Sequence, residues 1–265
     1  MDVARYLGCA HEDVELDYVG LNHLAWVSGV RVRGEDRTED ALDALIAHAE
    51  DEWDAGPIAD AMRASMQSLG MFCNPYLQYF YATEACLDKQ CGSQTTRGED
   101  VLAIEDALFA QYANPQINTK PPELSKRGGA HYSTAALAVM EAVARDLGRR
   151  QIVCCANRGA VPGFDEVAGL ELPARVGAAG AVALEQSAPP PSVRGLTQCI
   201  KAYETLTVEA AVTGNRDAAL QALLTNPLMP GIPGSKAVLE DVLNTNQSYL
   251  QGTFFPETAG VGHGH

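Results

Sequence analysis

The chain has 265 residues, enough for one large domain or two small ones, and its 46% hydrophobic content supplies a sizeable core. Thirty-four Asp and Glu against 19 Lys and Arg give a formal net charge of −15, which argues against wrapping nucleic acid or coating an anionic membrane. No apolar run reaches the roughly 18 residues of a membrane span, and seven Cys without a signal-peptide pattern or a disulfide-like framework point to reduced thiols in a cytoplasm.

Met1 to Gly8 reads as the end of a helix closing at Gly8. So little precedes it that a further N-terminal portion is expected to be missing. Glu15 to Gly20 alternates polar and apolar residues, as a half-buried strand does, and Leu24 to Val32 follows as a second strand broken at Ser28-Gly29. Asn22 and His23 lie between them. Thr38 to Glu50 is predicted helical with Thr38 as N-cap, and Pro57 to Leu69 is a second helix. Asn74-Pro75-Tyr76 opens a helix predicted to reach Lys89, with Pro in its first turn. Val101, Ile104, Leu108, Phe109 and Tyr112 form one helical face, and Leu137, Met140, Ala144 and Leu147 another that closes at Gly148.

Ile152 to Cys155 is a short apolar strand in which both Cys are expected to be buried. Short strands follow near 170–176 and 181–184. Pro189 to Pro191 is a stiff extended connector. Long helices are then predicted from Val193 to Thr213, from Asn215 as cap to Leu224, and from Ser235 to Leu250. The Gly-rich tail 256–265 is expected to be disordered. The pattern is α+β, helix-dominated with a small antiparallel or mixed sheet, and residues 1–255 are read as one domain. No GxGxxG or GxxxxGK turn occurs, so the chain itself supports no nucleotide site.

Four segments carry candidate chemistry. His23, between two strands and beside Asn22, has an imidazole able to ligate a metal. On spacing alone a hydrogen-bonded, half-buried His is favoured, because no second His, Asp or Glu stands at ligand spacing. In Cys73-Asn74-Pro75-Tyr76-Leu77-Gln78-Tyr79-Phe80-Tyr81, the residues Tyr76, Tyr79 and Phe80 share a helical face. Tyr79 and Tyr81 read as aromatic core. Tyr76 sits in the first turn, and since a free phenol ionises near about pH 10, its use as a base requires positive charge nearby. Thr96-Arg97 precedes a helix. Ser125 to Thr134, with Lys126, Arg127 and two Gly, suits a phosphate-binding loop, and equally an ordinary loop in which Ser133 or Thr134 caps the next helix. Asn157-Arg158-Gly159 reads as a turn.

Taken together, these stretches resemble the family 4 glycoside hydrolases. The resemblance is carried by Asp17-Tyr18-Val19-Gly20-Leu21-Asn22-His23-Leu24, Asn74-Pro75-Tyr76-Leu77, Thr96-Arg97, Lys126-Arg127-Gly128-Gly129 with Tyr132-Ser133-Thr134, Asn157-Arg158-Gly159, and Lys201-Ala202-Tyr203-Glu204 with Leu206-Thr207-Val208-Glu209. They stand in family order to about Leu250, and the 6-phospho-β-glucosidase branch is nearest. The resemblance implies the C-terminal, sugar-side domain, akin to the C-terminal domain of lactate and malate dehydrogenases, with a nucleotide-binding Rossmann domain expected before Met1. It also implies an NAD- and divalent-metal-dependent reaction on a 6-phospho-glycoside, the metal usually manganese. In that reaction oxidation at C3, elimination, water addition and reduction replace the paired carboxylates of ordinary glycosidases.

By motif, His23 is implied as metal ligand and Tyr76 as the base that removes the C2 proton. Asn22, Arg97 and Arg127 are implied near substrate or its phosphate. The family's second metal ligand, a Cys in a Cys-Asn segment, and the acid adjacent to it are implied before Met1, and Cys9 is not that Cys. The chain alone is therefore expected to hold neither NAD nor manganese tightly and to be inactive. A homo-oligomer, dimer or tetramer, is expected through the helices from Val193 and Ser235. The competing reading is a non-catalytic sugar-binding or oligomerisation module that kept the fold.

Overall fold

The computed structural model describes residues 3–127, 132–250 and 252–255. The expected tail 256–265 and the centre of the candidate phosphate loop, residues 128–131, lie outside the described residues. The chain forms two compact units, Met1–Ala160 with Val167–Gln186, and Val161–Glu166 with Ser187–His265.

In the first unit, a short helix α1 (Val3–Leu7) leads into β1 (Val14–Leu21) and β2 (Leu24–Val32), which pair antiparallel as a hairpin. The expected break at Ser28-Gly29 is a bulge instead. Asp17 faces Gly29 while Tyr18 faces Val27, so Ser28 is the extra residue and the strand runs on past it. After β3 (Glu35–Asp36), helix α2 spans Thr38–Ala47 and a separate turn, α3, spans Glu50–Trp53. Thr38 is not the cap. Its N–H donates to Asp36 Oδ1 at 2.9 Å, and its Oγ1 accepts from the Val30 N–H at 2.9 Å, tying α2 to the hairpin. Helix α4 (Pro57–Leu69) opens on Pro and closes on Gly70 in the left-handed conformation.

Strand β4 (Phe72–Cys73) pairs with Trp26 and Val27 of β2. The predicted helix from Asn74 to Lys89 is three pieces: a 3-10 turn Pro75–Leu77, α5 (Gln78–Tyr81) and α6 (Thr83–Cys91). Ala82 breaks it, with φ −131° and ψ 37°. Helix α7 (Arg97–Tyr112) is started by Thr96, which forms a capping box with Glu99. Helices α8 (Glu123–Arg127) and α9 (Tyr132–Ala144) follow. Ser133 and Thr134 lie inside α9, so neither caps it. Its apolar face is largely uncovered: Leu137 and Met140 are exposed.

Strands β5 (Arg149–Ala156), β6 (Gly169–Gly177) and β7 (Gly180–Ala183) complete a sheet of order β3-β2-β1-β6-β5, with β4 on β2 and β7 on β6. Every pairing is antiparallel. Cys154 is exposed and Cys155 half-buried, against the expectation that both are core, because β5 lies at the sheet edge. The core gathers Trp26, Leu45, Met62, Met66, Phe72 and Leu77, all essentially inaccessible to water.

The second unit is helical. Helix α10 (Pro191–Thr213) begins at the end of the proline run and stops at Gly214, whose φ of +70° follows the usual glycine C-cap logic. Asn215 caps α11 (Arg216–Thr225) by accepting from the N–H groups of Asp217 and Ala218 at 2.9 and 3.1 Å. Helix α12 (Ile232–Thr245) starts three residues before the predicted Ser235, and a 3-10 turn, Gln247–Tyr249, replaces its last predicted turn.

Candidate functional site

The site begins with a tight hairpin. The last β1–β2 pair is Leu21 with Leu24, so Asn22 and His23 alone form the loop. Gly20 makes this closure possible: a Cβ there would stand 2.3 Å from the Leu24 carbonyl oxygen and 2.5 Å from Ala25 Cα. His23 adopts φ +65°, a region that a side-chain-bearing residue occupies at a cost of about 1–2 kcal/mol. A two-residue hairpin needs a left-handed residue in its loop, and here the side-chain-bearing His23 takes that position.

A second strut brings up Tyr76. The Asn74 N–H donates to Ala25 O at 3.0 Å, extending the β4–β2 pairing up to the 3-10 turn. Asn74 Oδ1 accepts from the Tyr76 N–H at 3.0 Å, and Trp53 Nε1 donates to Pro75 O at 3.1 Å. Leu77 is buried beneath. The turn is thus fixed on three sides while Tyr76 remains 45% exposed. The outcome is a parallel stack: the rings of His23 and Tyr76 lie 3.8 Å apart at 5°. The structure therefore brings together two residues 53 positions apart in sequence. Asn22 lies exposed beside them in the loop.

Below the stack, Tyr18 donates to Glu171 Oε2 at 2.6 Å, joining the hairpin to β6. Burial, then the Glu171 carboxylate, raises the Tyr18 phenol far above its ordinary range, so it stays a neutral donor. Burial also pushes the Cys73 thiol up to about 12, which makes it packing rather than a nucleophile. Sequence reading missed Trp53, Tyr18 and Glu171. The last two are 153 residues apart, and no local spacing could have paired them.

Tyr79, expected in the core, is exposed; its ring lies 6.4 Å from that of Tyr76, tilted by 41°. It opens onto a cleft of about 590 Å³ shared with Lys89, Gln90, Gln94 and Arg97. Arg97 Nη2 donates to the carbonyls of Lys126 and Arg127 at 2.9 and 3.3 Å, and Arg127 Nε donates to Glu105 Oε1 at 2.8 Å. The two arginines are thus joined to each other at the end of α8. The Asn157 loop is a turn, with Arg158 and Gly159 at φ +48° and +82°.

Among the described residues no group of three or more His, Cys, Asp or Glu is placed to hold a metal ion. His23 offers one nitrogen donor at an exposed tip, which is a partial fit and not a complete site. No helix among the described residues is long and apolar enough to cross a membrane.

The model of the family 4 glycosyl hydrolase C-terminal domain matches residues 18–229. The chain is 33% identical to a 6-phospho-beta-glucosidase of Thermotoga maritima over 94% of its length and 32% identical to a probable 6-phospho-beta-glucosidase of Bacillus subtilis over 96%. It spans 59% and 58% of those two proteins. Solved structures of the Thermotoga maritima enzyme superpose with TM-scores of 0.84, with NAD and glucose-6-phosphate bound, and 0.81, with manganese, NAD+ and glucose-6-phosphate. In both, the match covers 94% of this chain, at 33% and 31% identity, and 58% and 57% of the other.

Proposed function

The chain belongs to the family 4 glycosyl hydrolases, as their C-terminal domain, and on that premise we propose that its His23–Tyr76 face serves the NAD- and manganese-dependent hydrolysis of 6-phospho-β-glucosides. The stacked rings are the observation that supports it: an exposed imidazole and an exposed phenol from distant segments are held face to face where a ligand can reach both. When bound, NAD supplies reversible hydride acceptance and the divalent metal supplies positive charge at a sugar oxygen. The part of this chain is narrower. Tyr76 takes the proton from the sugar's C2, and the electron pair left behind expels the glycosidic oxygen from C1. His23 would donate one ring nitrogen to the metal, and the stack of its ring on Tyr76 holds the phenol alongside the imidazole. Asn22, Arg97 and Arg127 are proposed around the substrate and its phosphate, Arg97 and Arg127 by holding the end of α8. The nucleotide site and the remaining metal ligands are assigned to an N-terminal portion such as those relatives carry.

Hydrogen exchange at C2 tests this directly. With NAD, manganese and the N-terminal portion of the Thermotoga maritima relative added, substrate recovered from D2O should carry deuterium at C2. Tyr76→Phe should lower that exchange by about 100-fold or more, the usual worth of a positioned base. Full exchange in Tyr76→Phe would remove the assignment.

A cytoplasmic, self-associating protein is part of the same reading. It is supported by seven free thiols and by exposed Val208 and Val212 on α10 and Val242 on α12.

A further inference from the structure

Behind the stacked rings, a line of side chains runs from the sheet to the turn that carries Tyr76. Among the described residues β1 and β6 pair at one position, Gly20 with Glu171, and Glu171 also pairs with Cys154 of β5, so its backbone is fixed on both edges. Its carboxylate accepts from the Tyr18 hydroxyl at 2.6 Å, and the Tyr18 oxygen in turn meets the Asn74 amide. Asn74 Oδ1 accepts from the Tyr76 N–H at 3.0 Å. Glu171, Tyr18, Asn74 and Tyr76 thus connect three segments that lie far apart in the chain: β6, β1 and the 3-10 turn.

This line has a direction, and Glu171 sets it. A carboxylate only accepts, so Tyr18 must donate to it. The phenol oxygen is then left as an acceptor, which calls for the NH2 end of Asn74. The other end of that amide, Oδ1, is thereby turned to the Tyr76 N–H. Without the Tyr18 hydroxyl the Asn74 amide is free to turn over. Its NH2 would then face the Tyr76 N–H, two donors together, and the turn would lose one of its ties.

We propose that Tyr18 and Glu171 are positioning residues, which hold the Tyr76 ring flat against His23 by fixing the orientation of the Asn74 amide. Their effect on turnover rests on the proposed role of Tyr76 as base, but the ring geometry can be measured without it. In the NMR spectrum of the chain, the His23 imidazole protons lie over the face of the Tyr76 ring, and Tyr76→Ala should move them downfield. Tyr18→Phe, with unchanged circular dichroism, should move them part of the way in the same direction. Glu171→Gln, whose amide can donate as well as accept, should do so to a smaller extent. In turnover of a 6-phospho-β-glucoside, with NAD, manganese and the relative's N-terminal portion added, Tyr18→Phe should lower kcat about tenfold with KM unchanged, the worth of one hydrogen bond. Combined with Tyr76→Phe it should add no further loss, because it acts only through that phenol. His23 resonances unmoved in both Tyr18→Phe and Glu171→Gln, a loss carried by KM, or additive losses in the double variant would overturn the positioning role. Shifted His23 resonances together with full C2 exchange in Tyr76→Phe would instead leave the positioning role standing and remove the proposed function.

Discussion

His23 holds two opposing contributions. Its left-handed backbone costs about 1–2 kcal/mol, and its stack on Tyr76 returns about 0.5–1.5 kcal/mol. His23→Gly removes both at once. Its stability in urea should therefore stay within about 1 kcal/mol of the parent, while the C2 exchange assay loses its metal-dependent activity. A fall of 3 kcal/mol or more would mean that the ring is a structural brace and not a ligand. The place of this residue was legible in Leu21-Asn22-His23-Leu24, since two polar residues between apolar strand ends make a hairpin tip. Its contact with Tyr76 was not. Spacing alone had favoured a half-buried His, yet the turn leaves it exposed, because the two-residue loop projects its side chains past the end of the sheet.

At the scale of elements, local chemistry located those ends where a single residue type decides. Gly214 ends α10 and Asn215 starts α11, as their backbone preferences require, whereas α10 begins at Pro191, two residues before the expected Val193 and inside the expected extended connector. Thr96 and Glu99 likewise start α7, each satisfying the other's backbone N–H. Thr96→Ala should cost about 1 kcal/mol, and Thr96→Ser should restore most of it. Equal stability of all three in chemical denaturation would show that packing alone holds the end of α7. Other boundaries depend on distant neighbours. The run from Pro75 to Lys89 is expected as one helix, yet Phe72–Cys73 pairs with Trp26 and Val27, and the chain leaves that strand through a 3-10 turn and two separate helices. The period of α9 was legible, but period does not say what covers a face, and Leu137 and Met140 remain uncovered.

For the whole molecule, charge acts twice with opposite sign. At pH 7 a net charge of −15 repels itself in the compact state, and this repulsion fades as the pH falls toward the pI near 4.7. Specific pairs act the other way. Arg31 grips Asp17 through two bonds of 2.6 and 2.7 Å, holding its carboxyl below the usual carboxylate range. Arg33 does the same for Asp13, and Arg145 and Arg149 for Glu141. A carboxylate with a lowered folded-state pKa contributes stability above its unfolded value and loses it as pH falls through the folded value. Stability should therefore rise from pH 7 toward pH 5 and drop steeply below about pH 4. Added salt should raise the melting temperature more at pH 7 than at pH 5, since it screens attractive and repulsive pairs alike and the net repulsion is larger at pH 7. Asp17→Asn should be less stable than the parent at pH 6, and the gap should narrow as the pH falls through the lowered folded value of Asp17. A constant gap between the two curves down to pH 2 would mean that Asp17 acts through its shape and hydrogen bonds, and that its charge contributes nothing to the hairpin carrying His23.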